Sequence, residues 1–174
     1  MNVDKFFDGA FLVRSRGVFD NRGSFSNIWC KNELKQFGIE ISVDQINLSN
    51  SLNPGTLRGL HYQINPSTQA KVITCCQGSI YDVIVDMRED SSTYLKWKGV
   101  YMEEHSPSIL IIPPVFAQGF LTLEKNTSIL YLNKGFYDPS CERGIRYNDP
   151  KLGITWPGAI TNISDKDQKW SNLI

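Results

Sequence analysis

Along the middle of the chain, apolar and polar side chains alternate with a period of two. Tyr81, Val83, Val85 and Met87 fall on one face of an extended segment, and Ile80, Asp82, Ile84, Asp86 and Arg88 on the other. Before it, Lys71-Val72-Ile73-Thr74-Cys75-Cys76 is a β-branched run that stops at the turn residues Gln77-Gly78-Ser79. Similar patterns predict strands over Ser42 to Leu48, Gly99 to Met102, Ser108 to Ile112 and Ser128 to Leu132. Helical spacing is confined to Lys31 to Phe37, where Leu34 and Phe37 share a side and Gly38 supplies a stop, and to a short turn after Ser164. Short strands punctuated by Gly and Pro, with no repeat or linker, predict one all-β domain over residues 1–174, a sandwich or small barrel.

Composition narrows the chemistry. The 174 residues suffice for one compact core without a disulfide or metal staple. Lys plus Arg and Asp plus Glu number 18 each, so bulk charge selects neither nucleic acid nor an anionic membrane, and an anion must be held by a few placed cations. The start MNVDKFFDGA has no basic stretch leading into an apolar one, and the longest apolar run, Ile109 to Ile112, stops at Pro113-Pro114. A soluble, cytoplasmic protein is expected. Cys30, Cys75, Cys76 and Cys141 lack CxxC spacing and read as free thiols, with Cys75 and Cys76 on opposite faces of a strand.

There are two histidines. His61 lies in Arg58-Gly59-Leu60-His61-Tyr62-Gln63 after the turn Asn53-Pro54-Gly55, and a regular strand would set Arg58, Leu60 and Tyr62 opposite Gly59, His61 and Gln63. By itself such a histidine is more often a hydrogen-bonded core residue than a base. His105, in Glu103-Glu104-His105-Ser106-Pro107, has the company of an exposed loop. Two such separated imidazoles are too few for a usual histidine-rich metal site, so neither metal nor cofactor is expected.

A series of motifs resembles the dTDP-4-dehydrorhamnose 3,5-epimerase family. They are Asp20-Asn21-Arg22-Gly23-Ser24-Phe25, Gln45-Ile46-Asn47-Leu48-Ser49, the Arg58 to Gln63 segment with Gln69-Ala70-Lys71, and Tyr81-Asp82-Val83 through Asp86-Met87-Arg88. Pro113 to Phe120, Asn148-Asp149-Pro150, Ile154-Thr155-Trp156-Pro157 and Ser164-Asp165-Lys166-Asp167 continue it in order. The resemblance implies a double-stranded β-helix (cupin) fold, a homodimer, and cofactor-free epimerisation at C3 and C5 of a nucleotide-activated 4-keto-6-deoxy sugar. Such a reaction needs a base on one face of the sugar, an acid on the other, and a cation near the ketone oxygen.

Carried over by position, the resemblance makes His61 the base, Asp167 its orienting carboxylate, Tyr131 the acid and Lys71 the cation, with Asp82 behind them. Arg58 and Arg22 correspond to pyrophosphate-binding arginines, the latter reaching across the dimer. Gln45 and Asn47 correspond to nucleotide contacts, and Phe25 and Tyr137 to aromatics flanking the base. Two positions depart from the pattern: Gln118 stands where the family usually has histidine, and Asn27 where RGxFxE ends in glutamate. Gln118 keeps a polar contact to the sugar but cannot titrate near neutrality. The departures keep open a single-centre epimerase on a dTDP-, CDP- or GDP-linked 4-keto sugar. A non-catalytic sugar-nucleotide-binding cupin is the alternative of another class, and a metal-dependent cupin oxygenase a distant third.

Overall fold

The computed structural model describes residues 1–173. The strands, in chain order, are β1 (Asn2–Phe7), β2 (Ala10–Arg14), β3 (Gly17–Asp20), β4 (Gly23–Ser26), β5 (Gln45–Ser51), β6 (Thr56–Gln63) and β7 (Ala70–Gln77). They continue with β8 (Ser79–Asp86), β9 (Trp97–Glu103), β10 (Ser108–Ile112), β11 (Phe116–Thr122), β12 (Thr127–Lys134), β13 (Glu142–Gly144) and β14 (Asn162–Ile163). Two short helices, α1 (Lys31–Lys35) and α2 (Asp165–Gln168), complete the described elements. One sheet runs β1-β2-β10-β7-β12-β5, and a second runs β13-β6-β11-β8-β9 with β14 beside β6. This mostly β, cupin-type architecture is the one the sequence predicts.

Alternation assigns each strand an inner and an outer side. Ile80 and Ile84 of β8, Phe116 and Phe120 of β11, Ile73 and Cys75 of β7 and Leu110 and Ile112 of β10 meet in one core cluster between the sheets. Their neighbours along the chain are also apolar because both outer sides are covered. Val72, Ile109 and Ile111 pack outward with Leu34 and Ile39, and Val83 and Val85 pack outward with Ile145 and Leu152. Strands buried on both sides lose the polar half of their alternation, and β10 and β11 are buried throughout. Cys75 is buried and Cys76 exposed, as a strand requires.

Several limits differ from those expected. The strand predicted over Ser42 to Leu48 is Gln45–Ser51, displaced toward its partner β12. Strands β1 to β4 and β11 lack a clear two-residue period of their own. The helix stops at Lys35, and Gly38 at φ +73° closes it: Gly38 N donates to Lys35 O and Ile39 N to Leu34 O. Phe37 is therefore exposed rather than sharing the buried side of Leu34.

The most consequential difference is in β6. Gln118 of β11 faces His61 and Phe120 faces Arg58, so three steps on β6 answer two on β11. This extra residue breaks the simple alternation and turns both Arg58 and His61 toward the interior. Gly59 lies within the irregularity at φ +121°, and a Cβ there would fall 2.5 Å from Gly119 Cα and 2.7 Å from Gln118 O. Neither backbone atom can rotate away. Gly59→Ala is expected to lower unfolding free energy by about 2–5 kcal/mol, from positive-φ strain plus overpacking, as read by urea denaturation; a loss below about 1 kcal/mol would show that β6 and β11 separate freely there.

Candidate active site

Between the sheets the apolar core gives way to a cavity of about 670 Å³. His61, Lys71, Tyr131 and Asp167 all line it, as do Gln45, Asn47, Arg58, Gln118 and Tyr137. The polar side chains replace apolar ones on the inner side of regular strands. On β11, Gln118 sits between Phe116 and Phe120, and on β8, Asp82 sits between Ile80 and Ile84. Nearby apolar neighbours hold these strands in place while the substituted positions supply chemistry.

His61 and Asp167 form a pair across distant parts of the chain. His61 Nε2 lies 2.6 Å from Asp167 Oδ1, while Asp167 Oδ2 accepts the Gly59 N–H at 3.1 Å. Ser164 caps α2 by accepting the Asp167 N–H, which fixes the carboxylate at the start of the helix. Burial alone would raise the Asp167 pKa, but the bonds from His61 and Gly59, the His61 charge and Ser164 outweigh it and hold the carboxyl below its usual range. Trp170 meets His61 edge-on with ring centroids 6.3 Å apart. With Nε2 taken by Asp167, Nδ1 is the ring nitrogen left for a substrate proton.

The facing wall comes from the other sheet. Tyr131 of β12 lies opposite Ile73 of β7, and Asn133 opposite Lys71, so Lys71 and Tyr131 are diagonal neighbours. Lys71 Nζ donates to His61 O at 3.3 Å, spanning the gap between the sheets. Burial lowers the Lys71 pKa to about 8, against the opposing pull of Asp82 and Glu142. Burial, with the Asp82 charge, raises the Tyr131 phenol, so its proton stays on throughout the neutral range; hydrogen bonding to Gln118 opposes this shift.

Gln118 Nε2 donates to Asp82 Oδ2 at 2.7 Å, while Asp82 Oδ1 is buried without a hydrogen-bond partner among the described residues. Burial pushes Asp82 well above the carboxylate range, and Gln118 and Lys71 only partly counter it. Toward the mouth, Arg58 donates to Asn50 O and to Ser51 Oγ, and Gln45 Nε2 donates to Asn47 Oδ1. Tyr137 O–H donates to Glu142 Oε2 at 2.8 Å.

Three expected residues stand apart within one chain. Arg22, Phe25 and Asn27 do not line the cavity, and Arg22 is engaged with Asp20 in the β3–β4 hairpin. His105 is exposed beside Glu104. Conversely, the cavity includes Glu142 and Asn133, which sequence reasoning passed over, and Gln63 and Gln69, which it quoted within motifs without a role. Asn133 is two positions beyond Tyr131 and follows from alternation. Glu142 lies on the three-residue β13, too short to show a period. Among the described residues no cluster of three or more His, Cys, Asp or Glu could hold a metal.

Residues 5–174 match the family model for dTDP-4-dehydrorhamnose 3,5-epimerase. The Sinorhizobium fredii protein of that name is 36% identical over 163 residues, covering 93% of this chain and 84% of its own. The crystal structure of dTDP-4-dehydrorhamnose 3,5-epimerase from Bacillus anthracis with TDP and PPi bound is 39% identical, with a TM-score of 0.94, over 98% of this chain and 97% of that one. ChmJ, a 3'-monoepimerase from Streptomyces bikiniensis in complex with dTDP-quinovose, is 29% identical with a TM-score of 0.89, over 97% and 85%. With a sequence match across nearly its whole length and a superimposable fold, the chain belongs to the dTDP-4-dehydrorhamnose 3,5-epimerase family of isomerases.

Proposed function

We propose that this protein inverts C3 and C5 of dTDP-4-keto-6-deoxyglucose, as in the making of dTDP-rhamnose, through enolates formed and quenched inside the barrel. The observation that carries this reading is the opposition of His61 on one sheet, paired with Asp167 of α2, and Tyr131 on the other sheet, with Lys71 reaching between them. His61 takes the proton from the carbon next to the ketone, and Asp167 stabilises the imidazolium that forms. Lys71 stabilises the developing oxyanion. Tyr131, kept protonated by its burial, returns a proton from the opposite side. Pure binding would require no such opposed pair.

At the cavity mouth Arg58 is the proposed diphosphate contact, Gln45 and Asn47 line the way to the nucleotide, and Tyr137 flanks its base. Thymidine nucleotides in the Bacillus anthracis and Streptomyces bikiniensis structures favour dTDP over CDP or GDP. A cytoplasmic setting fits the four free cysteines. One observation favours a second reading, single-centre epimerisation: Gln118, the glutamine bonded to Asp82, has no titratable proton to relay. The double reaction is preferred because a glutamine can still donate and accept hydrogen bonds at the sugar.

Incubation with dTDP-4-keto-6-deoxyglucose in heavy water, followed by proton and mass spectra, tests the reaction. Deuterium is expected at C3 and C5 at comparable rates; one labelled centre would establish the single epimerisation, and none would reduce the barrel to a binding protein. His61→Asn should lose exchange by at least about 10²-fold, the lower end of general-base contributions. Tyr131→Phe should exchange without inverting, because the enolate is then reprotonated from the His61 side.

The Lys71 pKa gives a second test. Its folded value is lowered to about 8, so the cation is present below that pH and lost as pH rises through it. The log of kcat/KM should therefore fall with a slope near −1 above pH about 8, and a profile flat to pH 9.5 would remove the Lys71 cation from the mechanism.

The proposed assembly is a homodimer. The β3–β4 hairpin forms a two-stranded sheet of its own, and Val18, Phe19 and Phe25 on it are 72, 71 and 77% exposed. An isolated hairpin is marginal in water, and such an apolar surface needs a cover. A second copy would provide that cover and bring Arg22, Phe25 and Asn27 to its neighbour's cavity. Light scattering should give twice the 19.8 kDa chain mass, and Arg22→Ala should weaken dTDP binding about tenfold, the scale of one charge-assisted bond; a fully active monomer would refute the arrangement.

A further inference from the structure

Behind the His61–Asp167 pair, outside the lining of the cavity, stands Trp170. Its ring meets the imidazole edge-on, with centroids 6.3 Å apart. A glycine makes the seat for it. In the β6–β13 ladder Gly144 faces His61, and a residue in that register ordinarily sets its Cβ about 5 Å from its partner's on the same face. At Gly144 the place is vacant of side chain, and the indole fills it. A Cβ there would fall 2.1 Å from Trp170 Cε2 and 2.3 Å from Cδ2. Gly144 has no positive φ, so a side chain is excluded there by the ring and not by the backbone. Trp170 thus occupies the position beside His61 that a cross-strand neighbour would hold.

The chain fixes this ring from both ends. Before it, α2 is capped by Ser164 and bonded through Asp167 to both His61 and Gly59. After it, Leu173 packs with Ile145 and Leu152, and its N–H donates to Asp149 Oδ2 at 2.5 Å. Trp170 Nε1 is buried without a hydrogen-bond partner among the described residues. An unpaired buried donor costs free energy, so the ring is seated by shape and not by a hydrogen bond. An imidazole held only at Nε2 could still swing about its Cβ–Cγ bond. An edge-on ring at this separation is in packing contact and takes up the space into which it would swing.

We infer that Trp170 is a positioning residue: packed on Gly144, its indole shields the His61–Asp167 bond from bulk water and keeps the imidazole turned so that Nδ1 faces the sugar. This rests on the epimerase reading above. A charge-assisted hydrogen bond weakens as water raises the local dielectric, so the same wall strengthens the hold of Asp167 on the imidazolium. The indole touches no reacting atom.

Trp170→Ala removes the wall, Trp170→Phe keeps a smaller ring in its place, and Gly144→Ala displaces the indole without removing it. Thermal melting checks each fold; should Trp170→Ala or Gly144→Ala fail to fold, the other decides. With deuterium incorporation into dTDP-4-keto-6-deoxyglucose as the rate, kcat should fall on the order of tenfold in both, part of the ~10² that misplacing a catalytic group by about 1 Å can cost. Trp170→Phe should lose less. The dissociation constant of dTDP, the binding probe, should stay as in the wild type, because the indole lies outside the cavity lining. Proton NMR in water should show the Nε2 proton of His61 as a shielded downfield signal in the wild type, lost to solvent exchange in Trp170→Ala; the exposed His105 should show none. Unchanged kcat, or an Nε2 proton that survives the loss of the indole, would overturn the inference. Weakened dTDP binding would overturn it too, by making Trp170 part of the nucleotide site. Wild-type protein that incorporates no deuterium would instead defeat the epimerase reading, while the proton signal would still report whether the indole shields the pair.

Discussion

The Asp167 carboxylate is the contact on which the site depends, because each of its oxygens fixes a different part of β6. One holds the imidazole of His61 at 2.6 Å, and the other holds the Gly59 N–H within the irregularity that turns His61 inward. Both bonds span more than 100 residues of sequence. The end of the chain thus sets the orientation of a residue near its first third. The carboxylate is itself held by the Ser164 cap and, through its neighbour Lys166, by Glu142.

The interior of the barrel has to serve as a core and as a cavity. The conflict is resolved along single strands, by substituting one inward position between apolar neighbours that stay packed. Asp82 between Ile80 and Ile84, and Gln118 between Phe116 and Phe120, are the clearest cases. Burial then raises Asp82 and Tyr131 and lowers Lys71, which places the proton inventory of the site under the control of packing. Gln118 satisfies one oxygen of Asp82 without adding a titrating group, and the other oxygen is left unpaired among the described residues.

The outer sides of both sheets are covered by the chain's own segments, but the β3–β4 hairpin and the exposed Ile46 and Leu48 of the edge strand β5 are not. Gln45 and Asn47 alternate with these exposed residues and face the cavity. The uncovered surface and the binding surface therefore share one strand, and the exposed Leu48 belongs to both. That arrangement favours a partner that completes the site while it shields the edge.

The sequence alone determined a strand-rich, all-β architecture, because a two-residue period and turn residues are local properties, while its cupin form was implied by the family resemblance. The pattern through β8 and β10, the opposite settings of Cys75 and Cys76, and the short helical turn after Ser164 were all legible in this way. The choice of His61, Asp167, Tyr131 and Lys71 came from family resemblance; nothing in their local context required them to share one cavity. Tertiary structure decided what local pattern could not. The extra residue of β6 becomes visible only in register with β11, where it overturns the expected opposition of Arg58 and His61. Glu142 joins the site through pairing and an ion pair across 24 residues, neither of which leaves a period in the chain. Arg22, Phe25 and Asn27 could be read as binding residues from sequence, yet the folded chain leaves them outside its own cavity. Periodicity records which side of an element a residue faces, whereas a site is assembled by which elements meet, and that is fixed only when the whole chain packs.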